Sequence, residues 1–167
     1  SPNFNMGFNL SASYKKLTLS ATLDWQNGGK MYNGTLLTMN YFGATNESLP
    51  YHEGTMVAKG IDQATGLENT VQVSKQKYYQ AYTNVTEAGI YDTGYLKLRD
   101  VTLSYKLPKF AGVDLSVYAF ARNLLLWAKM PTFDPESSQG NGNMGGYFDR
   151  FSVPNTSSFG GGFKLSF

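Results

Sequence analysis

The sequence contains no cysteine and one histidine, His52. These scarcities exclude a disulfide framework and the usual thiolate and imidazole zinc sets. No stretch approaches the roughly 20 apolar residues that a membrane-spanning helix needs. The 14 Lys and Arg residues form no basic run, so the chain carries no nucleic-acid footprint. Neither an initiator methionine nor a signal peptide precedes Ser1, and the expectation is that Ser1 lies downstream of a longer portion.

What the chain has instead is alternation. Near the C-terminus Phe159, Phe163, Leu165 and Phe167 share one parity, while Ser158, Gly160, Gly162, Lys164 and Ser166 share the other. The same pattern runs through Phe4, Met6, Phe8, Leu10, Ala12 and Tyr14, turns at Lys15-Lys16, and returns through Leu17, Leu19, Ala21, Leu23 and Trp25. Such period-two patterning predicts a hairpin with every apolar residue on one side. In a soluble sheet a second layer covers that side; in an outer-membrane barrel lipid covers it and the polar face looks into a wet lumen.

A second hairpin comes later in the chain, with Val101, Leu103, Tyr105 and Leu107 on one face and the strand after Pro108–Gly112 presenting Leu115, Val117, Ala119 and Ala121. Its phase is irregular. Tyr118, Phe120, Leu124 and Leu126 break the two-colour pattern, and Lys97 and Arg99 share the parity of the lipid-facing residues. Either a bulge shifts the phase near Asp100, or those charges lie above the hydrocarbon band.

These segments predict strands near 4–14, 17–26, 93–107, 114–128 and 157–167, all antiparallel. Short turns alternate with two long segments, 27–92 and 129–156, which are rich in Gly, Asn, Tyr and Thr and read as loops. Outer-membrane barrels have this asymmetry, with short periplasmic turns and long extracellular loops. The fold class read here is therefore all-β, an antiparallel transmembrane β-barrel of which this chain supplies about the last five strands, since closure takes at least about eight. Tyr14, Trp25, Trp127 and the terminal Phe167 are candidates for the aromatic girdle at the membrane surfaces.

The segments 2–33, 91–108 (YDTGYLKLRDVTLSYKLP), 121–136 (ARNLLLWAKMPTFDPE) and 153–167 resemble, in order, the C-terminal part of SusC-like TonB-dependent outer-membrane transporters of Bacteroidetes. The resemblance implies a barrel of about 22 strands around an N-terminal plug. It further implies TonB-driven import of oligosaccharides or peptides, a SusD-like surface lipoprotein as partner, an outer-membrane location in a Gram-negative cell, and neither catalysis nor a cofactor. The partners would be the remainder of the barrel and plug, the lipoprotein, TonB and outer-membrane lipid. The alternatives are a structural or adhesive outer-membrane β-protein and a soluble glycan-binding β-sandwich.

Motifs for chemistry are sparse. Gly140, Gly142 and Gly145 satisfy G-x-G-x-x-G without the surrounding βαβ unit, so they read as a loop. His52-Glu53 reads as a solvated pair, and Asp134 and Glu136 flanking Pro135 read as a loop-shaping turn. Asp24, Asp100 and Arg122 are the candidates for lumen-facing charges. A lumenal Arg122 needs a partner, which Asp24, Asp100 or the plug would supply, either fixing strand register or touching solute or plug. The long-segment aromatics Tyr32, Tyr41, Phe42, Tyr51, Tyr78, Tyr79, Tyr82 and Tyr91 are candidates for stacking on sugar rings or packing against the lipoprotein, with Tyr41, Tyr51, Tyr79 and Tyr82 put forward for substrate; packing among themselves is the plain reading.

Overall fold

Side chains that alternate across an extended backbone favour a sheet with two unlike faces, and such a sheet dominates the structure. The computed structural model describes residues 1–46, 48–109, 112–131, 133–138 and 147–166. Its elements are β1 (Pro2–Tyr14), β2 (Leu17–Gly28), β3 (Lys30–Asn33), α1 (Gly34–Tyr41), β4 (Thr55–Val57), β5 (Gln72–Ser74), α2 (Lys75–Tyr82), β6 (Ile90–Asp92), β7 (Tyr95–Lys106), β8 (Asp114–Ala128), β9 (Phe148–Asp149) and β10 (Ser158–Ser166). They fall into two units, one containing the long strands and the other formed by 31–91 and 138–152.

In the first unit the long strands form one antiparallel sheet in the order β1-β2-β7-β8-β10. The β1–β2 turn is held by Lys15 in the left-handed region at φ 54°, and it closes a register in which Tyr14 faces Leu17. That register puts Met6, Phe8 and Leu10 opposite Trp25, Leu23 and Ala21, and the pairing continues as Leu19 to Leu103 to Ala119. The apolar face is uncovered: Leu10 is 58%, Phe159 70% and Phe163 69% exposed. The sheet is open, with β1 and β10 at its edges among the described residues, because five strands are too few to close.

A bulge interrupts the pairing where the sequence lost its phase. Thr22 pairs with Asp100 and Leu23 with Leu98, so Arg99 has no partner on β2, and the β7–β8 ladder slips between Leu98 and Asp100 as well. Asn123 on β8 takes a left-handed φ of 49° at the same level. Below the bulge Val101, Leu103 and Tyr105 share the apolar face; above it Leu98 and Leu96 do, which sends Lys97 to the polar side opposite Asp24. Of the two alternatives left open by the sequence, the bulge is the one realised.

Segment 27–92, read from the sequence as a long loop, carries the short elements β3, α1, β4, β5, α2 and β6. Asn33 is fully buried and its side-chain carbonyl accepts a hydrogen bond from Leu36 N at 2.8 Å, capping α1. Leu36, Leu37 and Met31 form a small buried core in this second unit. Buried Asp149 accepts from Thr35 Oγ1 at 2.7 Å, and β9, which carries it, joins β6 and β3 in a small sheet, so 129–156 is not wholly loop either. Short polar caps and single buried leucines supply this order, a pattern too local for periodicity to reveal. Among the described residues no helix is long and apolar enough to cross a membrane.

Candidate functional site

The polar face of the large sheet carries a buried ionic network beside the bulge. Lys97, 2% exposed, donates from Nζ to Asp134 Oδ2 and to Glu136 Oε2, each at 2.7 Å. Arg99, swung to this face by the bulge, donates to Asp24 from Nε and to Glu136 from both terminal nitrogens. Tyr95 OH donates to Glu136 Oε1 at 2.9 Å, and Asn155 Nδ2 to Asp134 Oδ2 at 2.9 Å. Burial raises the Glu136 carboxyl, but the bonds from Arg99, Lys97 and Tyr95 outweigh it and hold the group down at about 2. Two cations thus face three carboxylates, and every charge in this half-buried site is paired.

The sequence reading of Asp134 and Glu136 as a loop-shaping turn is incomplete. Glu136 N does donate to Asp134 Oδ1 at 3.0 Å, closing a side-chain turn across Pro135, but both carboxylates also anchor that turn to β7. The signal was available: two cations on one strand at an off-phase position need anions from somewhere.

Of the lumen candidates, Asp100 is the partner of Arg122, with Nε 3.5 Å from Oδ2, while Asp24 is taken by Arg99. Arg122 is largely exposed and lies over the Phe120 ring, 5.0 Å from its centroid. Phe120 and Tyr118 stand on the polar face, contrary to their apolar character, because β10 offers glycine opposite each. A Cβ on Gly160 would lie 2.6 Å from Phe120 Cζ, and one on Gly162 2.7 Å from the Tyr118 hydroxyl. The rings therefore lie across the strand where side chains are missing.

The girdle candidates separate into two levels of the apolar face. Met6, Trp25, Leu96 and Trp127 form one cross-strand row, and Tyr14, Leu17, Tyr105, Val117 and Phe163 form another. The eight residue steps from Met6 to Tyr14 on β1 span about 26 Å along the strand. Phe167 and the glycines of 140–146 lie outside the described residues.

In the second unit Tyr51 and Tyr79 stack with centroids 3.6 Å apart, and Tyr82 meets Tyr79 edge-on at 6.5 Å. With Tyr91, Asn40 and Ser48 they line a cavity of about 460 Å³. Burial and then the hydrogen bond with Tyr51 push Tyr79 up to about 12, so the phenol is neutral at any physiological pH. The stacked pair also borders a second cavity of about 80 Å³, which is where Tyr41 lies. Tyr51, Tyr79, Tyr82 and Tyr91 thus line the larger cavity together, and Tyr41 meets Tyr51 and Tyr79 at the smaller one. His52 Nε2 donates to Gly43 O at 3.0 Å. Among the described residues no group of three or more metal-ligating side chains is placed to hold an ion.

No protein-family profile matches the chain. Two curated proteins of Formosa agariphila, TonB-dependent receptor P3 and TonB-dependent receptor P26, are 28% and 27% identical to it, each over 99% of this chain. A solved structure, the RagAB peptide importer in its open-open state, superposes on all of the chain with a TM-score of 0.61 and 25% identity. The chain resembles a segment of a SusC-like TonB-dependent transporter. It spans about a sixth of these relatives, 16% and 17% of the two receptors and 17% of the solved chain. The segment's mostly β architecture agrees with that kinship.

Proposed function

We propose that this chain is part of the wall and outer loops of an outer-membrane barrel that imports oligosaccharides by a TonB-dependent mechanism. The observation that carries the reading is the uncovered apolar face, continuous across five strands, opposite a polar face bearing paired charges. A sheet with those two faces suits lipid on one side and a hydrated lumen on the other. The whole-length similarity to TonB-dependent receptors supports the same reading.

In this mechanism the chain does no chemistry. The long strands separate lipid from lumen, and their edges at β1 and β10 pair with further strands of the barrel, since an open edge in hydrocarbon costs several kcal/mol per unpaired group. The Lys97–Asp134–Glu136 network ties segment 129–137 to β7, keeping the base of a loop fixed while solute passes. Segments 27–92 and 129–156 face the cell exterior, where a SusD-like lipoprotein closes over the mouth. TonB acts on a plug carried elsewhere in the protein. A cell of the Bacteroidetes type is the setting.

Peptides are the second substrate class, favoured by the similarity to a structure named as a peptide importer. The deciding experiment measures uptake of labelled oligosaccharides and labelled peptides in wild-type cells, in cells lacking the full-length protein and in cells lacking TonB. Oligosaccharide uptake lost in both deletions is the expected result. Uptake unaffected by either deletion overturns transport and leaves the adhesive reading, whereas loss of peptide uptake alone reassigns the substrate.

A further inference from the structure

The two ends of the large sheet are charged differently. At the end proposed to face outward, Lys97, Arg99 and Lys129 are each paired with a carboxylate. At the end of the short turns, proposed to face the periplasm, stand Lys15, Lys16, Lys106, Lys109 and Lys164. The side-chain carboxylate there, among the described residues, is Asp114, which Lys109 occupies at 3.2 Å. A surplus of lysines where strands leave the hydrocarbon attracts anionic lipid headgroups, at about fivefold in affinity per lysine.

Lys15 stands on the lipid side of this end. Its Nζ lies 5.4 Å from the centroid of the Tyr14 ring, and Tyr14 belongs to the apolar face. Lys16 follows in the turn, where its carbonyl accepts from Lys106 N at 2.8 Å and so ties the turn to β7.

Next to these lysines the apolar face is hollow. Leu17, Leu103, Tyr105, Val117 and Ala119, all of the apolar parity, border a groove of about 260 Å³. The hollow has a cause in the sequence. The cross-strand row through Leu19 and Leu103 continues to Ala119 and Gly161, so two bulky side chains give way to a methyl and then a hydrogen. Exposed Phe159 and Phe163 rise on either side of Gly161. Tyr14 pairs with Leu17 and Leu17 with Tyr105, so the Lys15 level and the groove are two strands apart, about 10 Å. One phospholipid bridges that distance, with its phosphate at the lysines and an acyl chain in the groove. A soluble anion uses the lysines and leaves the groove idle.

We infer that the β1–β2 turn and this groove form a binding site for a diacyl phospholipid with an anionic headgroup, drawn from the periplasmic leaflet. The inference rests on the proposed barrel and adds a lipid preference to it.

The test uses the full-length protein purified in detergent, with bound lipid counted by native mass spectrometry. The probes are phosphatidylglycerol and phosphatidylcholine of identical chains, lipopolysaccharide, and glycerol phosphate as a competitor without a tail. The variants are Lys15→Asn/Lys16→Gln, in which asparagine suits the left-handed backbone at position 15, Ala119→Phe, which fills the groove, and Lys30→Gln as a control at the other end. Thermal unfolding verifies that each variant folds. Phosphatidylglycerol binds about twentyfold more tightly than phosphatidylcholine, and the lysine variant loses most of that preference. Ala119→Phe weakens phosphatidylglycerol by about tenfold, the worth of roughly two methylene contacts, and Lys30→Gln leaves it unchanged. Equal affinity for the two phospholipids overturns the site, as does a preference that survives the lysine variant or falls equally with Lys30→Gln. Unchanged binding in Ala119→Phe, or displacement by glycerol phosphate at equal concentration, removes the acyl groove and overturns the proposal. Preference for lipopolysaccharide that the lysine variant abolishes overturns it and inverts the sidedness of the strands. A protein that stays monodisperse without detergent overturns the barrel reading itself, whereas the other outcomes leave that reading standing.

Discussion

Lys97 Nζ lies 2.7 Å from Asp134 Oδ2, across 37 residues of sequence, and the two side chains are 2% and 9% exposed. A pair so enclosed is a weak source of net stability while intact, yet breaking it is costly because the surviving charge stays buried without a counter-ion. That asymmetry decides how the site responds to substitution and to acid.

Lys97→Met therefore destabilises the folded protein by about 3–5 kcal/mol, the usual cost of orphaning a buried partner. Adding Asp134→Leu to the same protein recovers part of the loss. Denaturant unfolding of the full-length protein in detergent measures both. A double variant as unstable as the sum of its single changes would show that the two groups act independently.

Acid acts on the same network through Glu136. Its folded value of about 2 lies below the ordinary 4.5, so its contribution is fully present above about pH 4.5 and is lost as pH falls toward 2. Melting temperature as a function of pH declines over that window, and Glu136→Gln removes this part of the decline. An unchanged pH profile in Glu136→Gln would remove Glu136 from the account.

The two faces of the sheet respond differently to charge. Leu10→Arg or Phe159→Arg, in the row midway between the two girdle levels, costs about 2–4 kcal/mol near the middle of the bilayer, whereas Thr18→Arg or Ser166→Arg costs less because lumenal water hydrates the guanidinium. Refolding into lipid vesicles reads the difference. Equal penalties on both parities contradict the assignment of faces.

Gly160→Val collides with the Phe120 ring and costs about 1–3 kcal/mol, the usual range for overpacking. Phe120→Ala in the same protein restores most of that loss by vacating the space across the strand. A double-mutant cycle on thermal stability gives the coupling, and a coupling near zero would mean that the ring has another resting place.

Topology is open to labelling because the chain has no cysteine of its own. A single cysteine at Gln63, or within 140–146, reacts with an impermeant reagent in intact cells. One at Lys109, in the turn between β7 and β8, reacts only after the outer membrane is breached. The opposite order inverts the sidedness proposed for the strands.

The long strands were legible because their information is local and repeated: Phe4 to Tyr14, Leu17 to Trp25 and Phe159 to Leu165 each keep one parity, and parity alone fixes which side chains share a face. The resemblance to SusC-like transporters was legible for a related reason, since ordered motifs survive in the chain itself. Where parity failed, at Lys97, Arg99, Tyr118 and Phe120, the sequence marked the place without naming the remedy. A bulge is defined by what the neighbouring strands pair with, and the space for Phe120 by a glycine on β10, 40 positions away in the chain.

The sequence by itself determined that this chain makes long two-faced strands, because a period of two is written residue by residue. Only the tertiary structure decided that Asp134 and Glu136 neutralise Lys97 and Arg99, and that Tyr51, Tyr79 and Tyr82 share one cavity with Tyr91. Electrostatic pairing and cavity walls depend on distances between remote segments, and no local pattern encodes those distances.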